Sequence, residues 1–283
     1  MMRVQLARED GLADRSWLQS VVTRAQLGLV GAGQGLQADG KFGRDTEAAV
    51  RAFQASAGIP ESGLVDRATW EALSPHIESA LAERTAVITR ELPGFRGDLE
   101  WVHLQEGHHG VPFWPGGGSG VTLDPGIDLG QADAAVIELY RPLVSPAQFE
   151  AMQSAVGARG DTARAALDGD AVLSSIRLDR SQAVDLLPFA AGPYWADIGR
   201  RFAPLRQADT IGSVQTALLS LAYNRGDRNT ELATLGAPLD AGHWSEVADR
   251  IAAMQQDHAQ AGVARRRREE AFIIRTELEY LRS

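Results

Sequence analysis

The sequence has no cysteine among its 283 residues, so disulfide bonds, thiolate metal ligands and a cysteine nucleophile are excluded. Lysine occurs once, as Lys41, and arginine supplies the other basic side chains. No apolar run approaches the roughly 18 residues of a membrane span. The first fifteen residues, MMRVQLAREDGLADR, lack the apolar core of a signal peptide. We therefore expect no membrane insertion, and synthesis in the cytoplasm without a signal peptide.

The charge balance limits the partners of the chain. The formal net charge is −9 at pH 7. Because nucleic-acid affinity comes mainly from neutralising phosphates, this acidic balance argues against nucleic-acid binding. Hydrophobic residues make up 44% of the chain and charged residues 23%, as in ordinary globular domains, and the length is enough for two of them. Nothing in the composition indicates more than a monomer.

An internal repeat lies in the first quarter of the chain. Residues 40–50 (GKFGRDTEAAV) align with residues 63–73 (GLVDRATWEAL) at glycine, arginine, threonine, alanine and a closing aliphatic residue. Each copy is typical of a tight glycine turn, a polar cap and a short amphipathic helix. The apolar residues of both copies, with those of an earlier helix, would fill one small core: Trp17, Leu18, Val21, Phe42, Val50, Phe53, Ile59, Val65, Trp70 and Leu73.

This region also has a familiar order of residues. Residues 38–73, ADGKFGRDTEAAVRAFQASAGIPESGLVDRATWEAL, closely resemble the three-helix peptidoglycan-binding module of many wall hydrolases. The resemblance implies that the module as a whole binds muropeptides. At four of its positions we expect structural roles, as turn, core and helix contacts: Asp39, Phe42, Gln54 and Trp70.

The remaining chain divides into a linker and a second domain. Residues 77–91 contain charged side chains of both signs, as a solvated helix does. Pro93-Gly94 marks the start of the second domain. We therefore predict a peptidoglycan-binding domain over residues 1–76, a helical connector over 77–91 and a catalytic domain over 92–283.

The second domain concentrates its polar groups in residues 106–130, EGHHGVPFWPGGGSGVTLDPGIDLG. A helix predicted over residues 99–105 ends at Glu106-Gly107, because glycine favours the left-handed conformation that terminates helices. Residues 121–123 alternate like a short strand, and Asp124-Pro125-Gly126 indicates a turn. Short hairpins can bring polar groups from such elements over one cleft, and the three candidates are Glu106, Thr122 and Asp128.

The same stretch resembles the phage-lysozyme-like muramidases, most closely the branch with the bacteriocin pesticin and related endolysins. In that family a helix-terminal Glu is followed by an SGVT-type strand and an Asp-Leu-Gly ending. The resemblance implies that Glu106 is the catalytic acid, with Thr122 and Asp128 as its partners. The family usually has Thr-Ile-Gly-x-Gly after the strand, whereas this chain has Asp124 at the first glycine. Either Asp124 or Asp128 could therefore be the second catalytic carboxylate.

Two further stretches match that family, and the rest of the chain is helical in pattern. Residues 215–226, QTALLSLAYNRG, are similar to its central helix, and residues 262–271, GVARRRREEA, to its C-terminal helix. Helices are predicted over residues 132–140, 145–156, 181–187, 195–202, 211–223, 243–256 and 263–281. The predicted fold is α+β and mostly α, with a three-helix N-terminal domain and a lysozyme-like domain that joins a small β-hairpin region to a large helical lobe.

The chemistry that the resemblance implies is hydrolysis of a glycosidic bond through an oxocarbenium-like transition state. Glu106 would protonate the leaving oxygen, and the apolar Leu104, Phe113 and Trp114 nearby in sequence could raise the pKa of its carboxyl. Thr122 and Asp128 would position the water, and the implied outcome is inversion. The substrate-binding candidates are His108, His109, Asp124 and Asn224, and Asp124 could instead begin an Asx turn.

Histidines leave a second chemistry open. His103, His108 and His109 lie beside Glu106 in sequence, and zinc sites favour histidine with a carboxylate. No His-Glu-x-x-His pattern is present, however, and a further ligand would have to come from the distant His243. We expect no metal and no cofactor. The arginines at 265–268 cannot all share one helix face, so some should be solvated and pair with neighbouring glutamates.

Taken together, these patterns predict a modular endolysin that cuts the β-1,4 bond between N-acetylmuramic acid and N-acetylglucosamine. We expect it to bind bacterial peptidoglycan and to act on the wall after release from the host cytoplasm. One alternative is a secreted antibacterial effector or bacteriocin with the same chemistry. A zinc-dependent wall amidase or peptidase, and a wall-binding protein without activity, are the others.

Overall fold

A computed structural model describes residues 2–83, 92–226, 229–256 and 261–282. The predicted fold class is confirmed: the chain is mostly helical, with a small antiparallel sheet and an N-terminal three-helix domain. The helices are α1 (Gln19–Gly31), α2 (Arg44–Ala57), α3 (Arg67–Glu83), α4 (Leu99–Glu106), α5 (Ala134–Glu138), α6 (Pro146–Ala155), α7 (Asp161–Gly169), α8 (Ala171–Ser174), α9 (Arg180–Arg201), α10 (Gly212–Arg225), α11 (Gly236–Asp240), α12 (Trp244–Ala253) and α13 (Ala261–Arg282). Single 3₁₀ segments cover Ala13–Leu18, Ala203–Arg206 and Thr230–Leu235. Strands β1 (Thr122–Leu123) and β2 (Ile127–Asp128) form the sheet.

Contacts divide the chain into two compact units. Unit 1 comprises Met1–Thr85, Pro93–Gln105 and Tyr194–Ser283, and unit 2 comprises Ala86–Leu92 and Glu106–Pro193. The domain boundaries predicted after residues 76 and 91 stay predictions. Residues 77–83 of the predicted connector belong to α3, and residues 84–91 lie outside the described part of the chain.

The three-helix region of unit 1 repeats one buried contact. Gln54 of α2 donates from its amide nitrogen to the Leu64 carbonyl (2.9 Å) and the Thr69 hydroxyl (2.9 Å), and its amide oxygen accepts from the Gly63 N–H (2.9 Å). Gln26 of α1 bonds the first repeat in the same way, to the Lys41 carbonyl, the Thr46 hydroxyl and the Gly40 N–H. Each buried glutamine therefore supplies the donors and acceptor that one turn needs.

The predicted core of this region is confirmed apart from Ile59, which is only half-buried. The structural role expected for Trp70 is also present, because its indole N–H donates to the Val4 carbonyl (2.7 Å). The N-terminal segment completes the core: Met2, Val4 and Leu6 are fully buried. Sequence reasoning did not include this segment in the core.

A buried aspartate joins three parts of unit 1. Asp98 precedes α4 and accepts from the Trp101 N–H (2.9 Å), as an N-cap residue does. Its other carboxylate oxygen contacts Arg24 of α1 (2.9 Å) and the Ser20 hydroxyl (3.2 Å), and its own N–H donates to Thr216 of α10 (2.9 Å). The start of α4 is thereby fixed to α1 and α10.

Helix α10 is the central helix, as its apolar sequence predicts, with residues 212–222 buried. It contacts α13, where the four consecutive arginines divide between two environments. Arg265 and Arg268 are exposed, whereas Arg266 and Arg267 are buried next to the buried Glu270. Burial raises the pKa of the Glu270 carboxyl, while Arg267 and Arg266 act in the opposite direction.

Unit 2 packs short helices and the sheet around one hydrophobic core. Its buried residues are Val121, Leu123, Ile127, Leu129, Ile137, Tyr140, Phe149, Ala151, Met152, Ala155, Ala163, Leu173, Ile176, Leu178 and Leu186. Helix α6 begins with a capping box, in which Ser145 and Gln148 bond each other's backbone N–H groups. Helices α7 and α8 were not predicted.

The structure corrects one predicted helix boundary. Residues 181–187 and 195–202 were expected to form two helices separated by Pro188 and Pro193, but α9 is continuous through both prolines. An interior proline costs roughly 3 kcal/mol in a helix. Burial of Leu186, Leu187 and Trp195 on the same helix offsets that cost.

Among the described residues, no helix combines the length and the apolar character that crossing a bilayer requires.

Candidate functional site

The candidate site in unit 2 is organised by the short ribbon of β1 and β2. Thr122 lies opposite Asp128 in the register, and Leu123 lies opposite Ile127. Because side chains alternate across a strand and directly paired residues share a face, Thr122 and Asp128 point to the same side. Leu123 and Ile127 face the hydrophobic core on the other side. The structure therefore brings together two of the three residues predicted to be catalytic.

A third backbone segment extends this face. Phe113 forms an antiparallel bridge with Thr122, with N–O distances of 3.0 and 2.8 Å. The row across the ribbon is therefore Phe113, Thr122 and Asp128. The exposed His109 ring stacks on the Phe113 ring, with centroids 3.8 Å apart and planes 15° apart. Sequence reasoning placed Phe113 near the acid but not on this face, because the bridge joins residues that are distant along the loop.

Asp128 is held by hydrogen bonds through both carboxylate oxygens. Oδ1 accepts from the N–H groups of Gly120 (2.9 Å) and Gly130 (2.8 Å), and Oδ2 accepts from the Gln131 amide (2.8 Å). A Cβ at position 120 would lie 2.3 Å from Oδ1, so only glycine permits this approach. Asp128 thus fixes two ends of the loop around the ribbon while it carries a negative charge.

Thr122 is buried, with 5% of its surface exposed. Its hydroxyl lies 3.4 Å from the Gly120 carbonyl. The hydroxyl therefore sits beside the same glycine whose N–H binds Asp128. Thr122, Gly120 and Asp128 form one hydrogen-bonded corner on the outer face of the ribbon.

The structure corrects the expected Asx turn at Asp124. The N–H of Gly126 donates to the Leu123 carbonyl (2.8 Å), so a backbone hydrogen bond closes the turn. The buried Asp124 side chain instead accepts from the Gly110 N–H (2.6 Å) and lies 2.9 Å from Nδ1 of His108. Asp124 therefore fastens the loop that follows Glu106 to the turn of the ribbon.

Glu106 is the last residue of α4 and is half-buried, and Gly107 follows it with a φ of +83°. The predicted helix end is confirmed to within one residue. Earlier along α4, the carbonyl of Gln105 lies 3.5 Å from Arg266, and the Gln105 amide donates to Glu269 (2.8 Å). The helix that carries the candidate acid is therefore held at both its beginning, by Asp98, and its last turn.

Asn224 lies in unit 1, near the end of α10, and is exposed. Its side-chain oxygen accepts from Arg267 at 3.3 Å. This contact links the end of α10 to α13. The substrate-binding role expected for Asn224 stays a prediction.

The histidines of the zinc alternative differ in burial. His103 is buried in unit 1, while the exposed His108 and His109 belong to unit 2. His243 is exposed and lies 3.6 Å from Glu246. Within unit 2, the imidazole of His108 and the carboxylate of Asp124 are adjacent groups of the types that bind zinc.

Comparisons with known proteins concern mainly the N-terminal region. Residues 18–73 match the family described as "Putative peptidoglycan binding domain", which supports peptidoglycan as a partner. A comparison with curated proteins gives no match. Among solved structures, the chain is similar to the endolysin of Burkholderia phage AP3, with 19% identity over 99% of this chain and 100% of that one. The TM-score is 0.23, so this likeness carries no argument about function.

Proposed function

We propose that the protein is a peptidoglycan hydrolase that cleaves the β-1,4 bond between N-acetylmuramic acid and N-acetylglucosamine. The match of residues 18–73 to a peptidoglycan-binding family supports the substrate. The observation that carries the chemistry is the pairing of Thr122 with Asp128 on the outer face of the ribbon. The order of residues from Glu106 to this pair, which resembles that of phage-lysozyme-like muramidases, supports the bond that is cut.

In the proposed reaction Glu106 donates its carboxyl proton to the glycosidic oxygen as the bond to the anomeric carbon breaks. A water attacks that carbon, and its proton leaves to the carboxylate of Asp128 or, through it, to solvent. The Thr122 hydroxyl orients the water. The negative charge of Asp128 also stabilises the positive charge that develops on the sugar ring.

The experiment that tests this proposal is Glu106→Gln. The amide keeps the size of the side chain but cannot donate the catalytic proton, so lysis of purified peptidoglycan should fall by at least about 100-fold, the low end of what a general acid contributes. Binding to the same walls should be retained. The matched control is Glu150→Gln, which alters an exposed glutamate on α6 in the same unit. Unchanged lysis by Glu106→Gln would refute the assignment and leave a wall-binding protein without this chemistry.

The two candidate second carboxylates are separated by their amide variants. Asp128→Asn should lower the rate of hydrolysis much more than wall binding if Asp128 acts on the water. Asp124→Asn should mainly loosen the loop, because that carboxylate is buried and bonded to Gly110 and His108. The reverse order of effects would make Asp124 the second carboxylate.

A zinc-dependent amidase or peptidase is the alternative that the adjacent His108 and Asp124 favour. A chelator separates the two chemistries, because the muramidase keeps its activity and its products carry new reducing ends. Loss of activity in chelator, with new free amines in the products, would establish the alternative. A secreted effector with muramidase activity would give the same products as an endolysin and differs only in its route to the wall.

A further inference from the structure

Unit 1 contains a cavity of about 360 Å³ that the proposed reaction does not use. It lies between the N-terminal segment and α13. Its lining includes aromatic rings and charged side chains, among them Asp10, Arg15, Trp17, Phe272, Glu279 and Tyr280. The volume falls within the range of cavities that hold small ligands.

Two charged side chains of the lining, Asp10 and Arg15, form an ion pair. Asp10 is only 2% exposed, and its carboxylate accepts from the Ala7 N–H (2.7 Å) and from the Arg15 guanidinium (2.6 Å). Arg15 itself is more than half exposed at the rim, so the fixed carboxylate orients a guanidinium whose other N–H groups can bind a ligand. This pair presents planar donors in a defined direction.

The walls are aromatic. The rings of Trp17 and Phe272 meet edge to face, with centroids 4.7 Å apart. Trp17 is buried, whereas 48% of the Phe272 surface is exposed, so one ring supports the other.

Two further groups come from the last turns of α13. Tyr280 is buried, and this burial raises the pKa of its phenol. Glu279 is exposed at the rim and offers a carboxylate acceptor. With Asp10 and Arg15, the charged lining sums to one negative charge, which disfavours an anionic ligand.

We propose that this cavity binds an N-acetylglucosamine unit of the glycan strand. A pyranose ring has an apolar face that can pack on Phe272, while its hydroxyl and acetamido groups need planar donors and acceptors such as Arg15 and Glu279. The net negative charge of the lining is compatible with this neutral sugar. The cavity borders the segment that matches a peptidoglycan-binding family, beginning at Leu18. The choice of glycan rests on the proposed function.

The test compares two alanine variants on the same helix. Phe272 and Leu281 both lie on α13 and are both 48% exposed, but only Phe272 lines the cavity. Each substitution is made in Glu106→Gln protein, so that the walls are not digested during the measurement. The probes are purified sacculi in a sedimentation assay and tetra-N-acetylchitotetraose in a calorimetric titration.

We expect Phe272→Ala to bind both probes about tenfold more weakly, as truncation of an aromatic contact residue does, and Leu281→Ala to bind them as the parent does. Glu279→Ala, at the exposed rim, should weaken binding of both probes without changing the melting temperature. Equal binding by Phe272→Ala and Leu281→Ala would overturn the proposal. Weaker binding to sacculi with unchanged binding to chitotetraose would refute the sugar and indicate the stem peptide.

Failure of this proposal differs from failure of the proposed function. With Glu106 intact, Leu281→Ala, which lies outside the cavity, should hydrolyse short soluble muropeptides at the parent rate. If the cavity variants lose binding while Glu106→Gln remains fully active, the sugar site stands and the catalytic assignment falls. If Glu106→Gln is inactive and Phe272→Ala binds normally, the catalytic assignment stands alone.

Discussion

Asp128→Asn separates the structural role of this carboxylate from the catalytic role proposed for it. The asparagine oxygen can still accept from Gly120 and Gly130, so the ribbon should keep its shape. Hydrogen bonds to a charged acceptor contribute about 1.5–3 kcal/mol each, against about 0.5–1.5 kcal/mol for neutral pairs. Two backbone bonds lose this difference, and Gln131 must turn its amide to match the new donor.

The expected loss of unfolding free energy is about 2 kcal/mol, since Asp128 is partly exposed and solvent screens part of its charge. For a unit of this size that corresponds to a melting temperature lower by roughly 8–16 °C. The rate of peptidoglycan hydrolysis should fall by about 100-fold, because the charge beside the reacting carbon is removed. Calorimetry and a turbidity assay on the same preparations measure the two effects.

The matched control is Asp133→Asn. Asp133 is the N-cap of α5 and accepts from the Val136 N–H at 2.9 Å. Asparagine is as good a cap as aspartate, so stability and activity should both stay near the parent values. An unchanged melting temperature for Asp128→Asn would refute the hydrogen-bond argument. A lower melting temperature with parent activity would show that Asp128 stabilises the loop but does not take part in hydrolysis.

Gln54→Glu should lower the free energy of unfolding by about 3 kcal/mol, because a carboxylate cannot donate to the buried carbonyl that the amide binds. Gln26→Glu should cost more, since its amide also donates to Asp39 (3.0 Å), a contact that lowers the pKa of the Asp39 carboxyl; equal urea midpoints would contradict this. Burial raises the pKa of Glu277 above its ordinary value of 4.5, although its partners Ser213 and Arg3 oppose the shift. Its contribution to stability is therefore complete below pH 4.5 and is lost as the pH rises through the folded pKa, so Glu277→Gln should flatten the decline in melting temperature between pH 4.5 and 8. A parallel decline in parent and variant would refute the link to this residue.

The sequence was informative where local chemistry decides the structure. Gly107 after Glu106 predicted the end of α4, and the order Ser-Pro at 145–146 predicted the start of α6. The turn between β1 and β2 followed from Asp124-Pro125-Gly126. These signals act within a few residues, so a single sequence carries them in full.

Prediction failed where burial overrides local preference. Pro188 and Pro193 indicated a break, yet α9 continues because its apolar side chains are buried over its whole length. The strength of that burial depends on partners that are distant in sequence. Helix α7 was missed although Ala163, Ala166 and Leu167 recur at helical spacing, because the helix has only nine residues and only one of these side chains is large.

The sequence named the candidate site residues, but it did not predict the hydrogen bonds that these residues form. Thr122 and Asp128 were named from their pattern, and their shared face follows from the register of the ribbon. Two contacts depend on loop conformation: the hydrogen bond from the Gly120 N–H to Asp128, and the contact of Asp124 with His108. The hydrogen bonds of the buried glutamines were missed for a similar reason. Gln26 lies fourteen residues before the glycine whose N–H it accepts from, and Gln54 lies nine residues before its glycine partner, so no fixed spacing predicts these contacts.

The carboxylate of Asp98 has a consequence for protein engineering. Its salt bridge to Arg24 is buried, with the aspartate side chain fully enclosed. Replacing residues 1–76 with a foreign recognition module would remove that arginine and leave the buried Asp98 carboxylate without its partner. The free energy of unfolding would fall by about 3–5 kcal/mol. Chimeras cut at this junction should misfold or aggregate unless position 98 is neutralised as well. Exchange of modules between proteins of this architecture would thus select for paired changes on both sides of the junction.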